Sequence, residues 1–231
     1  NAPAHKMAVA STVLEVFATL QQRAEKLMLS SLGEDLMTNL NSLGDALDWA
    51  CARSIDALCT PVATPPPKRL DEFGELSLDA IHELNMAQAP PEIQALAEAN
   101  PDVYLLEVDE DTMVAIIDPH EVKTSPSSVT TFVEGVGSSD KSRWPTTIER
   151  SRSIAHATGG VTALWLGYGA PANLSRAVHA APAEAAGGEL ARFQRSLSQR
   201  FPAAKKGVTG YSYGSGASGY AAREGLQADE L

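Results

Sequence analysis

Cysteine, aromatic side chains and positive charge are all scarce in this chain of 231 residues. There are two cysteines, Cys51 and Cys59. On one continuous helix their spacing is about 12 Å of rise, beyond disulfide reach. Two buried thiols are expected, with a disulfide across a helix break after Ala57 as the alternative. Lys and Arg number 18 against 29 Asp and Glu, a net charge of −11. Nucleic acid and anionic membrane surfaces both require clustered cations, so neither is expected as a partner. The acidic residues are scattered and serve solubility. No apolar run approaches the roughly 20 residues of a transmembrane helix. The opening Asn1-Ala2-Pro3-Ala4 lacks the charged and apolar regions of a signal peptide. It also lacks an initiator Met, which fits a processed or trimmed start, so cytoplasm and export to the cell envelope both stay open. What the chain does have is 44% hydrophobic residues, ample for a core.

Residues 1–60 read as a helical hairpin. Thr12 and Glu15 have capping-box spacing. Val13, Leu14, Val16, Phe17, Leu20, Leu27 and Met28 form a helical stripe up to Gly33, and a second stripe runs from Leu36 through Leu43 and Cys51 to Leu58. Residues 61–100 read as a linker, with Pro65-Pro66-Pro67 favouring extended chain, then short helices at Leu78–Leu84 and Pro91–Ala99.

From residue 101 the pattern changes. Val103–Val108 and Met113–Ile117 read as a β-hairpin around the turn Asp109-Glu110-Asp111-Thr112. That acidic turn lacks the ligand series of a calcium loop and reads as solvated. Strands follow at Val129–Val133, Val161–Leu166 and Lys206–Thr209, separated by helices over Trp144–Thr158 and Glu184–Phe201. Apolar strands alternating with helices mean a mostly parallel sheet with flanking helices. The expected architecture is therefore α/β, preceded by a helical N-terminal region.

The last strand runs into Gly210-Tyr211-Ser212-Tyr213-Gly214. This spacing is that of a nucleophile elbow, in which a serine sits on a strained strand-to-helix turn. Glycines two before and two after remove Cβ atoms that would clash there. Gly216 and Gly219 read as glycines for close packing of the next helix on the sheet, and Gly225 as its stop. The competing reading is a Gly/Ser-rich surface loop.

An oxyanion hole pairs the N–H after the nucleophile, here Tyr213, with one from the loop after the third strand, here Val136 and Gly137. The competing readings of Gly135-Val136-Gly137 are an ordinary glycine-rich turn and a dinucleotide loop. Position 140 is Asp where the dinucleotide pattern wants a third glycine. Tyr168 and Tyr211 are candidates to line a substrate pocket, with core packing as the rival. All five histidines precede Ser212, and only 19 residues follow it. His156 and His179 could approach Ser212 in space but do not hold the usual base position in chain order, and both read better as surface or structural histidines. Either the catalytic Asp and His lie beyond Leu231, the favoured expectation, which makes this chain read as the front part of a longer protein, or the site is not a standard triad.

Val133-Glu134-Gly135-Val136-Gly137, Trp165-Leu166-Gly167-Tyr168-Gly169-Ala170-Pro171 and Val208–Ser215 together resemble an actinobacterial α/β-hydrolase family long known as a domain of unknown function. The likeness covers about residues 101–231, read as the N-terminal part of a hydrolase domain. Gly169 departs from the family, which usually carries an acidic residue there. The resemblance implies Ser212 as nucleophile and a serine hydrolase acting on an ester or other acyl bond of a small or lipid-like substrate. The chemistry so read calls for no metal or organic cofactor. A C-terminal remainder of the same protein is a possible associate. The alternative is a non-catalytic hydrolase scaffold that binds through its helical region.

Overall fold

The computed structural model describes residues 15–26, 34–59, 69–171 and 180–231. The expected capping box at Thr12, the joint at Gly33, the triple proline, His5 and His179 lie outside them. The chain divides into two compact units, Asn1–Lys68 with Glu72–Ala89 and Arg69–Asp71 with Pro90–Leu231.

The first unit is helical. Helix α1 covers residues 15–26, α2 Glu34–Cys59 and α3 Leu78–Gln88. On α1, Val16 and Leu20 are buried one turn apart. The buried face of α2 carries Leu43, Ala46 and Ala50. Cys51 lies off that face, exposed and free, so its expected burial is incorrect. The stripe is carried by small residues at 46 and 50 that a search for large apolar side chains passes over. Helix α2 also continues through Ala57 without a break. Ser77 caps α3 by accepting the Ala80 N–H at 3.1 Å. Arg23 donates to both carboxylate oxygens of Glu83, tying α1 to α3.

The second unit is built on five strands: β1 Val103–Val108, β2 Met113–Ile117, β3 Ser128–Val133, β4 Val161–Leu166 and β5 Lys205–Gly210. Their order in the sheet is β1-β2-β4-β3-β5. The β1–β2 and β2–β4 pairs are antiparallel, while β4–β3 and β3–β5 are parallel. Four strands therefore run in one direction and β2 alone opposes them. This mostly parallel sheet with flanking helices is the expected α/β-hydrolase-like plan.

The described residues of the unit also form the α-helices α4 Pro91–Glu98, α5 Trp144–Thr158, α6 Ala181–Arg200 and α7 Tyr213–Arg223. Helix α5 packs on β2, β3 and β4, and α7 on β3 and β5 with α6 alongside it. Every residue of β2 and β4 is buried, so both faces of the central sheet are covered. Gly159, at φ 68°, ends α5, and Gly225, at φ 80°, follows α7 as its stop. The chain then returns beside β5, where Glu230 pairs in parallel with Gly207 and Val208 N–H donates to Glu230 O at 2.9 Å.

Gly214 is where α7 needs a missing side chain, because a Cβ there would stand 2.2 Å from Val133 O. Gly219 faces open space, and a Cβ on Gly216 would meet only Ala183 at an ordinary 3.8 Å. The expected packing role of these two glycines is therefore incorrect; Gly214 and Gly187 provide the close approaches instead.

Candidate active site

The parallel strands deliver their C-terminal ends to one edge, where open α/β sheets place ligand sites. Gly210, the last residue of β5, pairs with Val133, the last of β3. Beyond it Tyr211 N–H donates to Val133 O at 2.9 Å, and the chain turns sharply into α7. Ser212 occupies the turn with φ 54° and ψ −118°. Glu121 and Ser212 are the non-glycine residues with positive φ among those described. Such backbone costs on the order of 1–3 kcal/mol and persists only where its surroundings enforce it. Here they do. The Gly214 N–H donates to Tyr211 O at 2.9 Å, Ser215 N–H to Ser212 O at 3.1 Å and Ser215 Oγ to Gly210 O at 2.8 Å. A Cβ on Gly210 would stand 2.6 Å from Ser215 Cα, so the turn closes only with glycine there. Ser212 is exposed, and its hydroxyl has no hydrogen-bond partner among the described residues.

The loop after β3 lies against this turn. A Cβ on Gly135 would stand 2.6 Å from Tyr211 O, 2.9 Å from Ser212 Cβ and 3.1 Å from Tyr213 N. The three N–H groups of Gly135, Val136 and Gly137 have different fates. Gly135 N–H donates to Glu134 Oε1 at 3.1 Å. Gly137 N–H, expected as an oxyanion donor, instead donates to Pro171 O at 2.8 Å. Val136 N–H has no hydrogen-bond partner among the described residues.

Glu134 is 3% exposed. Its second carboxylate oxygen accepts from Thr147 Oγ1 at 3.3 Å and from Arg150 Nη1 at 3.1 Å. The same guanidinium lies 5.3 Å from the centre of the Tyr211 ring, a cation–π geometry. Tyr211 itself is 52% exposed, at the rim beside Ser212. Tyr168, expected with it in a pocket, is buried: its ring stacks on Trp165 at 5.4 Å and its hydroxyl donates to Glu134 O at 2.7 Å. Burial chiefly, with the neighbouring Tyr213 and Glu134, pushes that hydroxyl well above the ordinary phenol range. Tyr213 opens α7, and its hydroxyl accepts from Ala183 N at 3.2 Å. Glu134 was not singled out in the sequence. The available signal was a carboxylate at the end of a buried strand, where an unpaired charge is costly.

The described histidines of this unit stand at the other end of the sheet. His156 is in the last turn of α5, five residues before β4 begins, and His120 follows β2, whose Ile117 pairs with Thr162. Their rings meet edge to face at 4.9 Å. Six-residue strands span about 20 Å, so His156 does not approach Ser212 as the sequence allowed. Among the described residues no group of three or more His, Cys, Asp or Glu is placed to hold a metal ion, and no helix is long and apolar enough to cross a membrane.

Comparison with known proteins agrees with this architecture. A family model described as alpha/beta hydrolase matches residues 121–230, from the loop before β3 to the residue that pairs beside β5. The match is narrower than the expected 101–231 and leaves the β1–β2 hairpin outside. No curated protein and no solved structure matches the chain.

Proposed function

We propose that this protein is a serine hydrolase acting on an ester or other acyl bond, with Ser212 as its nucleophile. The observation that carries the reading is the backbone of Ser212, at φ 54° and ψ −118°, which presents an exposed hydroxyl at the C-terminal edge of the sheet. Such strain in a non-glycine residue belongs with a site that needs the side chain exposed on a sharp turn.

In this reading Ser212 Oγ attacks the carbonyl carbon of the substrate. The new C–O bond forms as the carbonyl π pair moves to oxygen, and the hydroxyl proton passes to a base. Val136 N–H and Tyr213 N–H flank the position where that oxyanion develops. Collapse of the tetrahedral species breaks the bond to the leaving group, which takes the proton from the base. Water then attacks the acyl-enzyme by the same route, and an alcohol in place of water gives acyl transfer. The base in this reading is a His oriented by Asp or Glu, and His120 and His156 of the sheet unit do not fill that role.

One observation favours a second reading. The described histidines of the sheet unit lie a strand length from Ser212. A non-catalytic scaffold that binds through its helical region accounts for that directly. Labelling of the full-length protein with a fluorophosphonate probe, with Ser212→Ala as control, separates the two. Labelling lost in the variant supports the hydrolase; an unlabelled, folded wild type supports the scaffold.

A further inference from the structure

We infer that Glu134 and Tyr168 are positioning residues that hold the β3 loop so that Val136 N–H, and neither of its neighbours, serves the oxyanion. This rests on the reading of Ser212 as nucleophile. The Glu134–Gly135 peptide is tied at both ends, its carbonyl accepting from Tyr168 Oη at 2.7 Å and its N–H donating to Glu134 Oε1 at 3.1 Å. The Val136–Gly137 peptide is tied at both ends too, its carbonyl accepting from Arg143 Nη1 at 3.2 Å and its N–H donating to Pro171 O at 2.8 Å. Between them lies the Gly135–Val136 peptide. Its carbonyl accepts from Ser138 N at 3.2 Å, and its N–H is the one left without a partner among the described residues.

Glycines at 135 and 137 make this loop prone to peptide rotation, because neither backbone position is confined by a side chain. A loop of that freedom donates to a developing charge only if something else fixes it, and preorganised donors are what such sites rely on. Glu134 and Tyr168 supply the fixing from the buried side. The carboxylate is held by Thr147 and Arg150, and the phenol ring by its stack on Trp165. Arg150 also covers Tyr211, the residue before Ser212, so one guanidinium steadies the donor loop and the nucleophile turn together. A purely structural role does not call for a buried carboxylate, since an apolar side chain would fill the same space without the cost of desolvating a charge.

The test uses the full-length protein with two probes, a fluorophosphonate and 4-nitrophenyl acetate. With the first, the Ser212 Oγ–P bond forms as the hydroxyl proton passes to the base, the P–F bond breaks and fluoride leaves with its electron pair. Tyr168→Phe keeps the stack and removes the hydroxyl. It is expected to lower kinact and kcat by about 10- to 100-fold, with KI and KM changed by about 2-fold or less, because the donor acts on charge that develops only in the transition state. Glu134→Gln, which keeps an oxygen for the Gly135 N–H, is expected to retain more of the rate than Glu134→Ala. A role in folding alone would lower Tm and leave kinact of the folded fraction at the wild-type value. Wild-type kinact in both Tyr168→Phe and Glu134→Gln, or a change confined to KI and KM, overturns this inference alone. A wild-type protein that is not labelled at Ser212 overturns the nucleophile reading and this inference with it.

Discussion

Gly135 approaches Ser212 so closely that a Cβ on the glycine would stand 2.9 Å from the serine Cβ and 2.6 Å from Tyr211 O. The loop after β3 and the turn after β5 are thus one packed assembly, although 76 residues of chain separate them. Each side limits what the other can become.

Gly135→Ala is the direct probe of that approach. The clash is with backbone, which cannot swing aside as a flexible side chain does, so the loop or the turn must shift. We expect a stability loss of about 1–3 kcal/mol, the usual cost of overpacking, and fluorophosphonate labelling slowed by at least about 10-fold. Labelling at the wild-type rate with an unchanged Tm would contradict the geometry.

Replacing Ser212 separates strain from chemistry. Ser212→Ala keeps a Cβ at φ 54° and therefore keeps the strain. Ser212→Gly releases it. Release is worth about 1–3 kcal/mol, less the roughly 0.5–1 kcal/mol by which glycine favours the unfolded chain. The Gly variant is expected to melt above the Ala variant, with both unlabelled. The reverse order of melting temperatures would mean the turn is not strained.

The glycines of α7 make a matched pair. Gly214→Ala puts a methyl 2.2 Å from Val133 O and is expected to cost several kcal/mol or prevent folding. Gly219→Ala meets nothing within 4 Å and is expected to stabilise by about 0.5–1 kcal/mol through helix propensity. Chemical denaturation of the two variants checks both signs.

A pH dependence follows from Asp102. Arg152 donates to both of its oxygens at 2.7 Å, and this bond chiefly holds the carboxyl below its ordinary range in the folded protein. A carboxyl so depressed contributes stability that is fully present above its unfolded value of about 4, and loses it as pH falls through the lower folded value. Asp102→Asn is therefore expected to lower Tm at pH 7, with the gap to wild type shrinking below about pH 4. A gap that stays constant down to pH 2 would assign the effect to packing instead.

Strand positions were legible because apolar runs such as Val161–Leu166 must be buried on both faces and are bounded by turn residues. The same logic found the ends of α5 and the stop at Gly225. Sheet order was not legible in the runs themselves, since nothing within β4 says that it enters between β2 and β3. The loop after β3 was located correctly, yet the choice among its N–H groups depends on Pro171 O, a partner 34 residues past Gly137. Tyr168 was noticed, but the direction of its hydroxyl depends on the same tertiary meeting. Gly216 and Gly219 misled because a glycine looks the same in sequence whether a neighbour crowds it or not.

The entry of β4 between β2 and β3 also sets a schedule for the growing chain. As β3 leaves the ribosome, the β1–β2 hairpin is complete, but β3 has no place on it. Both strands that will flank β3 are still unmade: β4 begins at Val161 and β5 at Lys205. At usual elongation rates the first of them arrives about 1–6 s later. For that interval Val129, Phe132 and Val133, buried in the finished protein, belong to a segment with two unsatisfied edges. Nascent chains paused between β3 and β4 are therefore expected to be prone to aggregation and to be a target for a chaperone that binds extended apolar segments.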